Sequence, residues 1–537
     1  MGSLNGIAPV PDHLSIGTVK DVAVIGAGIS GVVSAAHLIK EGLNVTVFER
    51  TGVIGGVWHF DPRVDRDPPF PNTIPPDPNW TEIERAGLSK EEASLIHAPP
   101  GPCYSGLKNN VPTSLLRSSL LRWPEGTEDF IDQSELRKYI EDIARLHGVI
   151  DKILFHTRVE RAFKPENSRQ WTVESSTLLT NESSHSIKKR SWKFDAVVVA
   201  SGHYHVPFVP DIPGLSTWKK HFPDRVMHSK KYRDPTPFRG RTVLLIGAGA
   251  SSLDVAKDVE LLGGKVYQSR RETKYDLTIS RLPKTVERVA MAAEFIIDEA
   301  VSQDQSFGVD DDRVIPGKVR LEDGNILENI DYVVVATGYI TTYPFLGGLE
   351  QPFTQWEDAD EKVLITSDGY TTHNLHRDIF YIPDPSLAFI GVSHLVSTFS
   401  LFDFQAKVLS KVFSGNVQLP SRSAMVKEHK ERKARFTPGD KFHTIPSGEH
   451  LYIRDLLDWV NQDLEKAGLK PIEGMDADWQ VAYEAIKGST KVFESGKEGE
   501  PSQQPNSPAN VSPNQSESAN KGTDKDPSTQ LGHNEAR

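Results

Sequence analysis

Two short stretches constrain this sequence more than any others: Gly26-Ala27-Gly28-Ile29-Ser30-Gly31 and Gly247-Ala248-Gly249-Ala250-Ser251-Ser252. Each follows a continuous apolar run, Asp21–Ile25 or Thr242–Ile246, typical of a strand buried on both faces. Each opens a helical pattern, through Ala35, Ala36, Leu38 and Ile39 in one case and over 252–262 in the other. Glycine stands at both helix ends, Gly42 and Gly263-Gly264. A second strand follows each helix, at 45–48 and 265–269. Strand, glycine turn and helix in this order form a cradle for a dinucleotide. The first Gly permits the tight turn and the second lets a pyrophosphate approach the backbone. The third lets helix and strand pack closely, and the helix N-terminus offers free N–H groups. The expected class is therefore α/β, with two Rossmann-like dinucleotide-binding domains.

The two cradles differ at the tip of their second strand. The first ends in Glu49-Arg50, where a carboxylate can accept the ribose hydroxyls of an adenosine. The second ends in Gln268-Ser269-Arg270-Arg271, with no carboxylate to repel a ribose 2′-phosphate and with Ser269 and Arg270 able to bond it. FAD at the first and NADPH at the second is the natural assignment, with hydride passing from nicotinamide to flavin. Ser252 replaces the third Gly of the second turn and is still small.

The rest of the chain fits around these units. Its 537 residues suggest two to four domains. The strand Ala196–Val199 ends in Ala200-Ser201-Gly202, and Tyr332–Val335 ends in Ala336-Thr337-Gly338. These similar ends bracket the second cradle, so the NADPH domain is expected as an insertion in the FAD domain. The expected layout is a flexible leader at 1–20, FAD domain at 21–205, NADPH domain at 206–335, FAD domain again at 336–490 and a disordered tail at 491–537. Proline density at 60–82 precludes regular structure and marks an insertion at 60–100, a lid or a spacer. A helix is expected at 134–146, strands at 153–159 and 171–173, and a hairpin about Asp323-Gly324. After Ser495 no aromatic residue occurs, and Val511 and Leu531 are the only large aliphatics.

Counts exclude several classes. Cys103 is the only cysteine, so no intramolecular disulfide, dithiol redox pair or multi-cysteine metal site exists. It reads as an ordinary half-buried thiol. The net charge of −12 argues against nucleic acid or an anionic membrane as partner. No apolar run approaches the length of a membrane span. Residues 1–20 lack a signal pattern, and Gly6 breaks the myristoylation pattern. A cytoplasmic location is the default. His203 and His205 flank Tyr204 but have no nearby carboxylate or Cys pattern, so no metal is expected. Trp123 and Trp192 read as packing residues.

With these features in place, the chain resembles the flavin-containing monooxygenases of fungal type over roughly residues 22–419. Gly55-Gly56-Val57-Trp58 is similar to that family's second flavin-contacting motif, GGxW. Residues 104–112, Tyr-Ser-Gly-Leu-Lys-Asn-Asn-Val-Pro, are similar to YxxLxTNxP, with Asn109 at the Thr. The signature FxGxxxHxxx(Y/F) matches Phe222 through His228 to Tyr232, with Asp224 at its Gly. Residues 331–339 match the ATGY strand, and the stretch from Phe404-Gln405-Ala406 to Leu419-Pro420-Ser421 also fits. The resemblance implies that NADPH reduces FAD, that O₂ adds to give a flavin C4a-hydroperoxide, and that a small nucleophilic substrate takes one oxygen atom. It places Asn110 beside the reactive edge of the flavin as a catalytic residue. His228 is either a catalytic acid or a structural histidine tying the hinge strand. Val159, Tyr232, Thr337, Gly338 and Gln405 join the cradle residues as cofactor contacts. Tyr232, where Baeyer–Villiger relatives carry Trp, favours oxygenation at nitrogen or sulfur over ketone oxygenation. Asp224 is the one feature that favours a non-oxygenating flavoprotein, a redox sensor or interaction module. Substrate identity stays open, as does a homo-oligomer.

Overall fold

The computed structural model describes residues 18–77, 88–181, 184–271, 281–298, 313–438, 442–445 and 448–491. The leader up to residue 17, part of the insertion (78–87) and the tail beyond 491 lie outside the described residues. The chain divides into two compact units, Met1–Lys487 and Gly488–Arg537, and the elements below belong to the first.

Two sheets organise this unit, the first parallel apart from an antiparallel edge at Leu375–His376 and Phe380–Tyr381, the second parallel throughout. In the first, strand Asp21–Ile25 lies between Asn44–Phe48 and Ala196–Val199, and Leu387–Phe389 pairs with the far side of Ala196–Val199. Val22, Val24, Val197 and Val198 are fully buried, as expected of strands covered on both faces. The helix Ile29–Lys40 packs on this sheet and against the helix Thr398–Phe413. His37 Nε2 lies 2.8 Å from the buried Asp403 carboxylate, which also accepts from Ser118 Oγ at 2.7 Å. In the second sheet, Thr242–Ile246 lies between Lys265–Ser269 and Tyr332–Val335, and Val226–His228 adds beyond the latter, all parallel.

The chain leaves the first sheet after Val199 and returns after Val335. The two passages run side by side as an antiparallel ribbon, Val206–Pro207 against Tyr339–Ile340. Phe208 N donates to Gly338 O at 2.9 Å and Thr337 Oγ1 to Phe208 O at 2.6 Å, which fastens the ribbon.

The expected helix at 134–146 forms over Gln133–Leu146, capped by Asp132, and the hairpin about Asp323-Gly324 pairs Gly317–Leu321 with Ile326–Leu327. The strand expected at 153–159 is two strands. Ile153–Leu154 joins the first sheet, His156 takes a left-handed φ of 53°, and Thr157–Phe163 starts a separate antiparallel sheet. Residues 60–77 carry no helix or strand beyond one bridge, Asn72 to Val209. A helix does form later in the insertion, at Lys90–His97, where Ser89 and Glu92 make a capping box. The irregular segment is strapped to the ribbon and to residues 219–233, with Asn72 Nδ2 donating to Pro207 O at 2.7 Å. Asp67 pairs with Lys219 at 2.8 Å and Lys231 at 2.9 Å, Asp65 pairs with Lys230, and Arg233 Nε donates to Arg63 O.

Candidate functional site: two cradles at the carboxyl ends of two sheets

Ligands of open α/β sheets bind outside the carboxyl ends of the strands. Both glycine turns lie there and share one contact. Gly26 has a φ of 108°, and a Cβ on it would sit 2.5 Å from Ala200 O. Gly247 has a φ of 110°, and its Cβ would sit 2.4 Å from Ala336 O. Each turn therefore presses on the carbonyl that ends the neighbouring strand, and only glycine allows that approach. The Ala-Ser-Gly and Ala-Thr-Gly strand ends recur in sequence because each receives a cradle.

In the first cradle, a Cβ on Gly31 would lie 1.9 Å from Gly26 O, so helix and turn touch backbone to backbone. Gly28 is the N-cap of the helix and no side chain caps it, which leaves the amide groups at Ile29 and Ser30 for a ligand. The Gly55-Gly56-Val57-Trp58 turn closes over this end. Gly55 N donates to Ala27 O at 3.1 Å, and a Cβ on Gly56 would come within 2.9 Å of Gly28 Cα. Val57 and Trp58 are half-buried, with the Trp58 ring edge-on to Phe399.

Glu49 is buried and already anchored. It accepts from Ala27 N at 2.9 Å and from Thr51 N and Oγ1 at 2.8 Å. Its carboxylate fixes the turn as well as standing at the strand tip. Arg50 has a guanidinium nitrogen 2.8 Å from His205 Nδ1. That cation also argues against a metal at His205. Among the described residues, no three His, Cys, Asp or Glu side chains gather to hold a metal ion.

The second cradle is more open. Gly249 is an exposed N-cap with no side-chain cap, and a Cβ there would meet nothing within 4 Å. Ala250 is exposed and Ser251 half-buried at the helix start. Ser252 is fully buried, and its hydroxyl accepts from Gln268 Nε2 at 2.9 Å, which seats the larger residue where the first cradle has Gly31. Ser269 is 2% exposed and its Oγ accepts from Ala292 N at 2.9 Å. Of the two residues expected to meet a 2′-phosphate, the half-buried Arg270 at the strand end is the better placed.

Three further expectations meet a different environment. Asn109, not Asn110, is buried. Its Nδ2 donates to Val111 O and Asp129 O, and its Oδ1 accepts from Ile131 N, so it pins the loop that leaves Asn110 exposed. Tyr232 is 2% exposed in the core behind the second cradle and its phenol donates to Asp258, so it backs the cradle helix without facing its open end. His228 is fully buried. Its Nε2 lies 3.1 Å from Gly338 O and its Nδ1 accepts from Lys230 N. Burial lowers its pKa to about 3, so it is neutral and both ring nitrogens are engaged. These surroundings support the structural role of His228, tying the hinge strand to the ribbon. Val159 is buried beside a bulge in its strand pairing, and Gln405 is fully buried with Nε2 2.9 Å from Tyr452 OH.

One segment escaped the sequence reading. The loop after Leu387–Phe389 brings Gly391 against the first cradle, where a Cβ would lie 2.5 Å from Ser30 Oγ. His203 Nδ1 lies 3.2 Å from Gly391 O. The signal was present, since Ile390-Gly391 is a third apolar strand ending in glycine. From here a row of rings runs to the ribbon: His394, His203, Tyr204, Tyr339 and His228, with centroids 4.2 to 5.5 Å apart. Burial lowers the His203 pKa to about 4, as it lowers that of His228, so these two rings of the row are neutral at neutral pH. Cys103 is buried and its thiol is pushed up to about 12 by that burial, which makes it inert.

The signature's Asp224 is exposed and has a negative φ, so the turn never needed glycine there. Arg225 N still closes it on Phe222 O at 3.0 Å.

Comparison with known proteins agrees with this architecture. The family described as flavin-binding monooxygenase-like matches residues 19–67, 103–289 and 313–470. The flavin-containing monooxygenase ustF2 of Aspergillus flavus is 40% identical over 489 residues, covering 87% of this chain and 97% of that protein. Among solved structures, the S-allyl-L-cysteine S-oxygenase of Allium sativum aligns with a TM-score of 0.64 and 24% identity, covering 89% of this chain and 94% of its own. OTEMO in complex with FAD and NADP aligns with a TM-score of 0.51 and 14% identity, covering 85% of this chain and 99% of its own.

Proposed function

The chain belongs to the flavin-containing monooxygenase family, and we propose that it oxygenates the nitrogen or sulfur of a small nucleophilic substrate. It is an NADPH-dependent enzyme with FAD and NADPH as cofactors. The observation that carries the reading is the repeated cradle. Two glycine turns press on Ala200 O and Ala336 O at the carboxyl ends of two sheets, joined by one short ribbon.

Bound FAD, reduced by NADPH, supplies the oxygen-activating chemistry. The chain's own residues bind, orient and shield. Amides at Ile29 and Ser30 would hold one pyrophosphate, with Glu49 at the strand tip for the adenosine ribose. Amides at Ala250 and Ser251 face the other, with Arg270 at its strand tip. The neutral rings of His203 and His228 add no proton-donating cation to the region between the first cradle and the ribbon. His228 holds the hinge strand to the ribbon, and Asn110 stands exposed as a polar contact for the reacting end. We place the domain limits at 206, where the ribbon begins, and at 335, where the last strand of the second sheet ends before it, and the enzyme in the cytoplasm.

Tyr232 in place of Trp favours nitrogen or sulfur over ketone oxygenation. The test is a product screen by mass spectrometry with amine, sulfide and ketone panels under NADPH and O₂. Products heavier by one oxygen from amines or sulfides are expected. Esters from ketones, with amines and sulfides untouched, would overturn the substrate class. Absence of flavin reduction by NADPH would overturn the cofactor roles.

A further inference from the structure

The Asn110 segment lies outside the sheet that carries the NADPH cradle, yet a side-chain bond joins the two. Tyr104 Oη donates to Asp254 Oδ2 at 2.5 Å. Asp254 lies one turn into the cradle helix Ala250–Leu261. Tyr104 begins the loop that leads to Asn110. That loop is rigid: Leu107 N bonds Tyr104 O, Gln133 N bonds Leu107 O, Ser105 N bonds Arg233 O, and Asn109 is held at three points. One turn further along the helix, Asp258 accepts the phenol of Tyr232, whose ring centroid lies 5.2 Å from that of Tyr104. Both tyrosine rings are buried and their carboxylate partners half-buried, so each bond is only partly open to water.

We propose that Tyr104 is a positioning residue: its bond to Asp254 sets where the NADPH cradle helix stands relative to the Asn110 loop. A nucleotide held at Gly249 would be long compared with the cradle, so a small tilt of this helix would be magnified at its far end. The proposal rests on the cofactor assignment of the cradles and is independent of the substrate class.

The test uses Tyr104→Phe, which keeps the ring and removes the hydroxyl, in the FAD-loaded full chain. NADP⁺ affinity is measured by calorimetry. Peroxide release is measured without substrate, where NADPH, a proton and O₂ give NADP⁺ and H₂O₂. A misplaced nicotinamide shields the reduced site less well. About tenfold weaker NADP⁺ binding and a comparable rise in peroxide release are expected. Asp254→Asn, whose amide oxygen still accepts the phenol proton, retains wild-type NADP⁺ affinity. Asp254→Ala and the double variant match Tyr104→Phe, because all three lack the same bond. A merely structural role lowers Tm and leaves affinity and peroxide release unchanged, and that result overturns the proposal. A wild type that takes no NADP⁺ sinks the cofactor assignment and this tie with it.

Discussion

Gly249→Ala separates what the chain needs from what its ligand needs. Gly249 has a φ of −87° and a ψ of −173°, extended backbone that alanine adopts freely. A Cβ there meets no atom within 4 Å. The free protein should therefore tolerate the methyl, because the gain of about 0.4–1 kcal/mol from lost unfolded-state freedom is offset by alanine being the poorer N-cap. The methyl stands where a pyrophosphate must approach the backbone. Crowding a close contact by one carbon costs about 1–3 kcal/mol, or roughly 5- to 150-fold in NADP⁺ affinity. Gly247→Ala is the contrast, since its φ is 110° and its Cβ would lie 2.4 Å from Ala336 O. That variant loses stability whether or not a nucleotide is present. Melting without nucleotide and calorimetric titration with NADP⁺ read the two effects, with FAD content as control because the first cradle is untouched. Equal NADP⁺ affinity in Gly249→Ala and wild type would refute the reasoning, as would a fall in Tm matching that of Gly247→Ala.

Arg270→Ala should weaken NADPH more than NADH and so narrow the preference between them; titration of both nucleotides checks this, and an unchanged preference removes Arg270 from the 2′-phosphate site. His228 has a folded pKa of about 3 against an unfolded value near 6.5. Its neutral form thus contributes stability that is full above pH 6.5 and is lost as pH falls toward 3. His228→Gln should flatten the fall of Tm over that window, although it also lowers Tm at pH 7. Cys103 should resist iodoacetamide at pH 8 in the native protein, because its thiol is buried and raised to about 12; labelling without loss of fold, followed by mass spectrometry, would contradict this.

The cradles were legible because their geometry is local: glycine, strand and helix lie within about 30 residues of one another. The two strand ends were legible because they repeat one local pattern, whereas the ribbon beyond them pairs residues more than 130 positions apart and carries no such signal. Gly391 was missed because its role depends on Ser30, which lies far away in sequence and reaches it only once the sheet has formed. Tyr232 was placed by motif, but packing against Phe238 and the bond to Asp258 give it a core position. The strand His185–Phe194 went unread because Lys188, Lys189, Arg190 and Lys193 mask its alternation, as suits an outer strand with one solvated face. The turn at His156 depends on His156 N bonding Thr51 O, a partner no local pattern reveals.

The ribbon also bears on the order in which the chain folds. Val197 pairs with Leu387, so the first sheet closes only after everything between them has been looped out. Long-range pairings of this kind slow folding more than they weaken the folded state, because loop entropy grows only with the logarithm of length. If the second sheet forms first, its ends emerge together where Val206–Pro207 meets Tyr339–Ile340. The long loop then behaves as a short one, and the last strand of the first sheet is delivered beside its partner.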